Sequence, residues 1–277
     1  MLSTKIHNAV YTGSAGRKSL YDLEIPENFN KKLIVFIHGY MGYKDWGCWE
    51  LAQRFFVSNG YGFCKYNVSH NGGTVEKPID FTDLEAFAHN SYSKECQDLQ
   101  CVLAQLEKHF DVYPDILLIG HSRGGGIALL ASSDTRIKKI STWAAIAGIE
   151  KRFPTGKELE VWKTQGTRYG VNSRTKQKMP HLFMQYEDFI EHRDELNIEK
   201  ACLNSKVPTL VIHGDLDTSV DIEEGRQIAG WLKTHLFEIE EANHTFGSAQ
   251  PWESSEMPEH LQKVCALTLG FFQIEQD

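Results

Sequence analysis

Ile116-Leu117-Leu118-Ile119-Gly120-His121-Ser122-Arg123-Gly124-Gly125-Gly126 is the stretch on which the reading of this chain turns. Ile116 to Ile119 are four apolar residues in a row, the pattern of a strand covered on both faces. Gly120 ends that strand, and Gly124 to Gly126 with Ile127-Ala128-Leu129-Leu130 open a buried helix. Gly-x-Ser-x-Gly lies between them, so Ser122 occupies a sharp strand-to-helix turn, a nucleophile elbow. A Cβ at Gly120 or Gly124 would collide with the neighbouring turn, and the helix N-terminus beyond Ser122 favours negative charge developing there. Such a motif also arises by chance in glycine-rich loops. The strand before it and the helix after it separate the two readings.

Working toward the N-terminus, Leu33-Ile34-Val35-Phe36-Ile37 is another fully buried strand, running into His38-Gly39-Tyr40-Met41-Gly42. A strand ending in His-Gly at this distance before an elbow is placed to give a second backbone N–H to an oxyanion. Tyr40 is the expected donor and Met41 the second choice, against a plain turn with a structural histidine; the first donor is the backbone N–H of Arg123. Residues 5–12 and 18–25 read as an edge hairpin joined at Gly13-Ser14-Ala15-Gly16, which lacks the Gly-x4-Gly-Lys spacing of a phosphate loop. The pattern predicts a helix over 45–59, a strand over 61–68 and an amphipathic helix over 92–110. The stretch 69–83, His70 included, reads as a solvated surface loop.

Toward the C-terminus, strands are expected over 140–146, 208–213 and 236–240, with helices over 221–235 and 259–272. Residues 151–205 are polar and too long for a structureless loop, so we expect an insertion of short helices forming a lid over the functional face. Arg174 and His181 within it either contact substrate or are solvated and packed. Strands alternate with helices from residue 33 onward. This implies an α/β fold: a mostly parallel sheet with helices on both faces, one domain over 1–277 with a lid at about 151–205.

Composition narrows the function. The 277 residues suffice for one large core, with 41% apolar and 24% charged residues. A formal charge of −8 argues against nucleic acid or an anionic membrane surface as a partner. No apolar run approaches the ~18 residues of a membrane span, and the N-terminus lacks the apolar centre of a signal peptide. Six scattered cysteines without a Cys-x-x-Cys pair suit a reduced, cytoplasmic protein. No His, Asp, Glu or Cys cluster has metal-ligand spacing, and neither a metal nor a cofactor is expected.

Parallel sheets carry functional residues on loops at the carboxyl ends of their strands. Three such loops here hold Ser122, then an acid after the 208–213 strand, then His244 after the 236–240 strand. Asp215, Asp217 and Asp221 share the acid's loop. Asp215 suits a turn at the strand end and Asp221 suits a helix N-cap, which leaves Asp217 without a structural role.

Residues 31 to 272 resemble an α/β-hydrolase, through His38-Gly39-Tyr40, Gly120-His121-Ser122-Arg123-Gly124-Gly125, His213-Gly214-Asp215-Leu216-Asp217-Thr218-Ser219-Val220 and Asn243-His244-Thr245-Phe246. The chain is similar to the branch of dienelactone-hydrolase-like and cinnamoyl (feruloyl) esterases, and more distantly to the catalytic domain of prolyl-oligopeptidase-type peptidases. In that branch's His-Gly-x-x-Asp-x-x-Val pattern the acid matches Asp217. The resemblance implies a serine hydrolase acting on a carboxylic ester of a small or medium acyl substrate. Ser122 would be the nucleophile, His244 the base and Asp217 its orienting acid. The alternatives are a peptidase or amidase on the same residues, or a non-catalytic binding protein of the same fold. His121 is expected to pack, and His213 to be a buried hydrogen-bonding residue.

Overall fold

A computed structural model describes residues 3–275. Its eight-stranded sheet has the order β1 (Thr4–Thr12), β2 (Lys18–Ile25), β4 (Gly62–Tyr66), β3 (Lys32–Ile37), β5 (Asp115–His121), β6 (Ile137–Trp143), β9 (Thr209–Gly214), β10 (Leu236–Ile239). The β1–β2 hairpin is antiparallel and meets β4 antiparallel; from β4 to β10 every pairing is parallel.

The central strands sort their side chains by the two-residue period of a strand. Leu33, Val35, Ile37, Ile116 and Leu118 face one layer. There they pack on α3 (Tyr92–Glu107), α4 (Arg123–Leu130) and α8 (Ile222–Leu232), through residues such as Leu99, Leu103, Ile127 and Ile228. Ile34, Phe36, Leu117 and Ile119 face the other, against Trp49 and Phe56 of α1 (Trp49–Ser58) and Leu261 and Phe272 of α9 (Glu259–Gln273). An unbroken apolar run therefore serves two cores at once, as its lack of alternation predicts. Helix α1 begins four residues later than its apolar pattern suggests, because Gly47 takes a positive φ of 57° just before it.

Two expectations need correction. The start of the 69–83 stretch is not solvated: Ser69, His70 and Asn71 are buried beneath the β1–β2 turn, while Glu76, Lys77 and Asp80 further on are exposed as expected. His70 Nδ1 lies 2.8 Å from Ser69 Oγ and 3.2 Å from Ser14 Oγ, while Asp98 accepts from the N–H groups of Ser14 (2.6 Å) and Ser69 (2.7 Å). That loop continues into a short helix, α2 (Leu84–Ala88), capped by Asp83.

The segment between β6 and β9 holds α5 (Gly156–Gln165), α6 (Met184–Glu191) and α7 (Ile198–Asn204), but also an antiparallel hairpin of β7 (Thr167–Val171) and β8 (Lys178–Leu182) where only helices were expected. Gly166, at φ 72°, ends α5 and turns the chain into β7. Asn172 then accepts from the N–H groups of Arg174 (3.0 Å) and Thr175 (3.1 Å) and makes the hairpin turn. Among the described residues no helix is long and apolar enough to cross a membrane.

Candidate functional site

Ser122 stands between β5 and α4 at φ 57°, ψ −119°, a strained conformation for a residue with a Cβ. The two glycines of the motif make the turn possible. A Cβ on Gly120 would sit 2.4 Å from the Gly124 carbonyl oxygen, and one on Gly124 only 2.2 Å from that of Ile37. The close approach of α4 to β3 brings the Gly39–Tyr40–Met41 loop beside the serine: a Cβ on Gly39 would lie 2.9 Å from Ser122 Cβ. Neither the Tyr40 N–H nor the Arg123 N–H donates a hydrogen bond among the described residues, so both donors are available at this turn. Met41, the second choice, has φ 54°. His38 anchors the loop: its Nδ1–H donates to Gly39 O at 2.8 Å and its Nε2 accepts the Val68 N–H at 3.1 Å.

The acid and the histidine meet across the ends of β9 and β10. His244 Nδ1 is 2.7 Å from Asp217 Oδ2. The other Asp217 oxygen accepts from the N–H groups of Ser219 (2.8 Å) and Val220 (2.9 Å). His213, read from the sequence only as a buried hydrogen-bonding residue, also faces this carboxylate. Its Nε2 lies 3.1 Å from Asp217 Oδ2 and 2.9 Å from Val220 O. Burial opposes ionisation of Asp217, yet the hydrogen bonds from His213, His244 and Val220 prevail and hold it well below the usual carboxylate range. An ionised Asp217 can only accept, so His244 carries its proton on Nδ1 and leaves the Nε2 lone pair free. Asp221 caps α8, accepting from Glu223 N at 2.9 Å, as expected.

His121 does more than pack. It lies between the rings of Trp49 (5.1 Å) and His244 (4.8 Å), and its Nε2–H donates to the His244 carbonyl at 2.9 Å. The serine's own turn thereby holds the loop of His244. Burial, then the neighbouring His244, pushes the His121 pKa down to about 3, so the ring is neutral. The Ser122 hydroxyl makes no hydrogen bond to a described side chain; contacts of this kind commonly tighten only when substrate binds.

These groups open into a cleft of about 620 Å³ lined by both Ser122 and His244. Hairpin β7–β8 forms part of its wall. His181 is buried there, its Nε2 2.8 Å from the Tyr40 hydroxyl and its Nδ1 3.1 Å from Gln185 Oε1. Because the Gln185 amide donates to Ala88 O at 2.9 Å, its oxygen faces His181. His181 therefore donates from Nδ1 and accepts from Tyr40. The Arg123 guanidinium is sandwiched between the rings of Tyr40 (4.5 Å) and Tyr92 (4.4 Å) and pairs with Glu95 at 3.0 Å. Apart from the local His181–Gln185 contact, these links join residues far apart in the chain, so sequence spacing could not have shown them. Trp162 and Phe183 lie behind the wall, packed on Phe153 and Tyr186. Among the described residues no group of three or more His, Cys, Asp or Glu side chains comes together as a metal site.

The sheet order, the strand-end loops and the helices on both faces define the α/β-hydrolase fold. Solved structures that share it include Est1E of Butyrivibrio proteoclasticus with ferulic acid bound (20% identity, TM-score 0.67, over 95% of this chain and 98% of that one). The mouse alpha/beta hydrolase domain-containing protein 10 superposes with a TM-score of 0.70 at 15% identity, over 96% and 99% of the two chains. A dienelactone hydrolase of Anabaena variabilis gives 0.62 at 17% identity, over 98% of each. No family model matches the sequence.

Proposed function

We propose that this protein is a serine hydrolase that cleaves carboxylic esters of small or medium acyl groups. The observation that carries the reading is the Asp217–His244 pair, 2.7 Å apart, opening into the same cleft as a serine held at positive φ. Ser122 Oγ attacks the acyl carbonyl while His244 Nε2 takes its proton. Asp217 keeps the other imidazole nitrogen protonated and stabilises the imidazolium that forms. The free N–H groups of Tyr40 and Arg123 stabilise the oxyanion, about 3–4 kcal/mol per donor in comparable sites. The imidazolium then protonates the leaving alkoxide, and water, activated by the same histidine, hydrolyses the acyl-enzyme. These steps use side chains, two backbone N–H groups and water.

Residues 151–205 act in this reading as a lid on a single hydrolase domain, since hairpin β7–β8 lines the cleft and is tied to the oxyanion loop through Tyr40 and His181. The six cysteines, none in a disulfide, support a cytoplasmic location. The esterase and hydrolase names among the structural neighbours support the reaction class.

The decisive experiment combines fluorophosphonate labelling with turnover of acetyl, butyryl, octanoyl and feruloyl esters and of aminoacyl amides. Wild-type protein should label at Ser122 and hydrolyse esters. Ser122→Ala should fold and lose both. Hydrolysis at the wild-type rate by a folded Ser122→Ala chain would sink the mechanism, and faster turnover of the amides would make the protein an amidase.

A further inference from the structure

The chain carries a net charge of −8, yet among the described residues its cleft is lined by Arg123, Arg152, Arg168 and Arg174 and by no aspartate or glutamate. Two of these cations are neutralised from behind, Arg123 by Glu95 and Arg152 by Glu224. Arg168 and Arg174 form no ion pair among the described residues. Arg174 is exposed at the hairpin turn, where water solvates it. Arg168 is different. It is half-buried on β7, beside His181 in register, with its guanidinium 4.5 Å above the Trp162 ring. Among the described residues its guanidinium makes one hydrogen bond, a long one of 3.4 Å to the Arg152 carbonyl, and its Nε is buried without a partner. Burial pulls its pKa down from the ordinary value, the sign of a cation whose lost hydration is not replaced.

A partly desolvated cation without a counter-ion costs stability, and each such group asks for a partner. Trp162 fixes the plane of the guanidinium, which keeps its fork ready for a planar two-oxygen anion. As a cation lining the same cleft as Ser122, it also draws anions into that cleft.

We propose that the cleft takes esters that also carry a carboxylate, with Arg168 as the counter-ion of that carboxylate. This deepens the ester-hydrolase reading and rests on it for the reaction. The carboxylate belongs either to the acyl part or to the alcohol part of the ester.

Binding and turnover are measured separately. Calorimetry on the Ser122→Ala chain compares monomethyl glutarate with dimethyl glutarate, for an acyl-side carboxylate. A second pair, 3-acetoxypropanoate and its methyl ester, places the carboxylate on the alcohol side. In one pair the charged probe should bind roughly tenfold or more tightly than its neutral partner, and the gap should shrink at high salt. Arg168→Gln added to Ser122→Ala should abolish the gap, and Arg168→Lys should restore part of it. Equal binding of charged and neutral probes in both pairs overturns the proposal, and so does a gap that survives in folded Arg168→Gln. The first comparison needs no Arg168 variant, so misfolding cannot obscure it. Wild-type hydrolysis of the same esters reads the other claim: an Arg168-dependent gap without hydrolysis sinks the hydrolase reading and leaves the anion site standing.

Discussion

Asp217 shows how much one side chain is asked to do. Its two oxygens take two backbone N–H groups, the His244 imidazole and the approach of His213, and together these keep it ionised. An asparagine could still accept from Ser219 and Val220 through its carbonyl, and His213 would keep the Val220 carbonyl as acceptor. Its amide N–H, however, would face His244 Nδ1 and drive the imidazole proton to Nε2, where it blocks deprotonation of Ser122. Asp217→Asn should therefore reduce kcat by about 10⁴-fold, as loss of proton placement does in comparable triads, with little change in Tm. Asp221→Ala should do the reverse, costing about 1 kcal/mol through loss of the α8 cap while sparing kcat. Steady-state kinetics and denaturant titration of the two variants check the pair; a silent Asp217→Asn would move the acid elsewhere. Of these partners, only the acid and the histidine were legible in the sequence, because each follows a strand end. The second histidine on the carboxylate was not, since nothing in its spacing tells which way the imidazole points.

At the level of elements, β3, β5 and α4 meet at a separation that only glycine permits. Gly124→Ala would drive a methyl group into the Ile37 carbonyl at 2.2 Å, and backbone cannot give way as a flexible side chain can. We expect a loss of about 1–3 kcal/mol or more, read as a lower urea midpoint. The labelling rate at Ser122 should fall as well, because the strand and helix that present it move apart; an unchanged midpoint would mean that the contact is looser than described. This junction was readable because all its pieces are local: an apolar strand, Gly-x-Ser-x-Gly and an apolar helix. Hairpin β7–β8 was not. Of β8 only Met179 and His181 are buried, and since His181 is polar while Pro180 and Leu182 on the other face are apolar, the sequence shows no two-residue hydrophobic period. The loop over 69–83 misled for a related reason. Its Ser, His and Asn residues look solvated, but the polar partners that bury them, Ser14 and Asp98, lie 55 and 29 residues from Ser69. Arg168 escaped notice because only the folded hairpin sets it over Trp162 and leaves it without a carboxylate.

Across the whole molecule, burial favours the neutral ring at four histidines. His38 Nε2 accepts the Val68 N–H, and His181 Nε2 accepts from Tyr40. His70 lies against Ser14 and Ser69, and His121 ties the serine turn to His244. Burial is the largest cause of the shift in each. It lowers the pKa of His38, and those of His70 and His181 to about 4 and of His121 to about 3. In the unfolded chain these rings take up protons near pH 6.5. Between about pH 6.5 and pH 4 the unfolded chain therefore binds more protons than the folded one. The stability these neutral rings provide is fully present above pH 6.5 and is lost as pH falls through that window, by up to about 1.4 kcal/mol per pH unit for each histidine. The urea midpoint should still drop markedly from pH 7 to pH 5, although Asp98, whose pKa burial raises to about 6, takes up a proton within the fold in this window and offsets about one histidine's share. His70→Asn, which removes one such proton acceptor at a residue that does not line the cleft, should flatten the dependence by about one histidine's share. Equal midpoints at pH 7 and pH 5 would show that these rings are protonated within the fold, and the hydrogen-bond directions assigned to His38 and His181 would then have to be reversed.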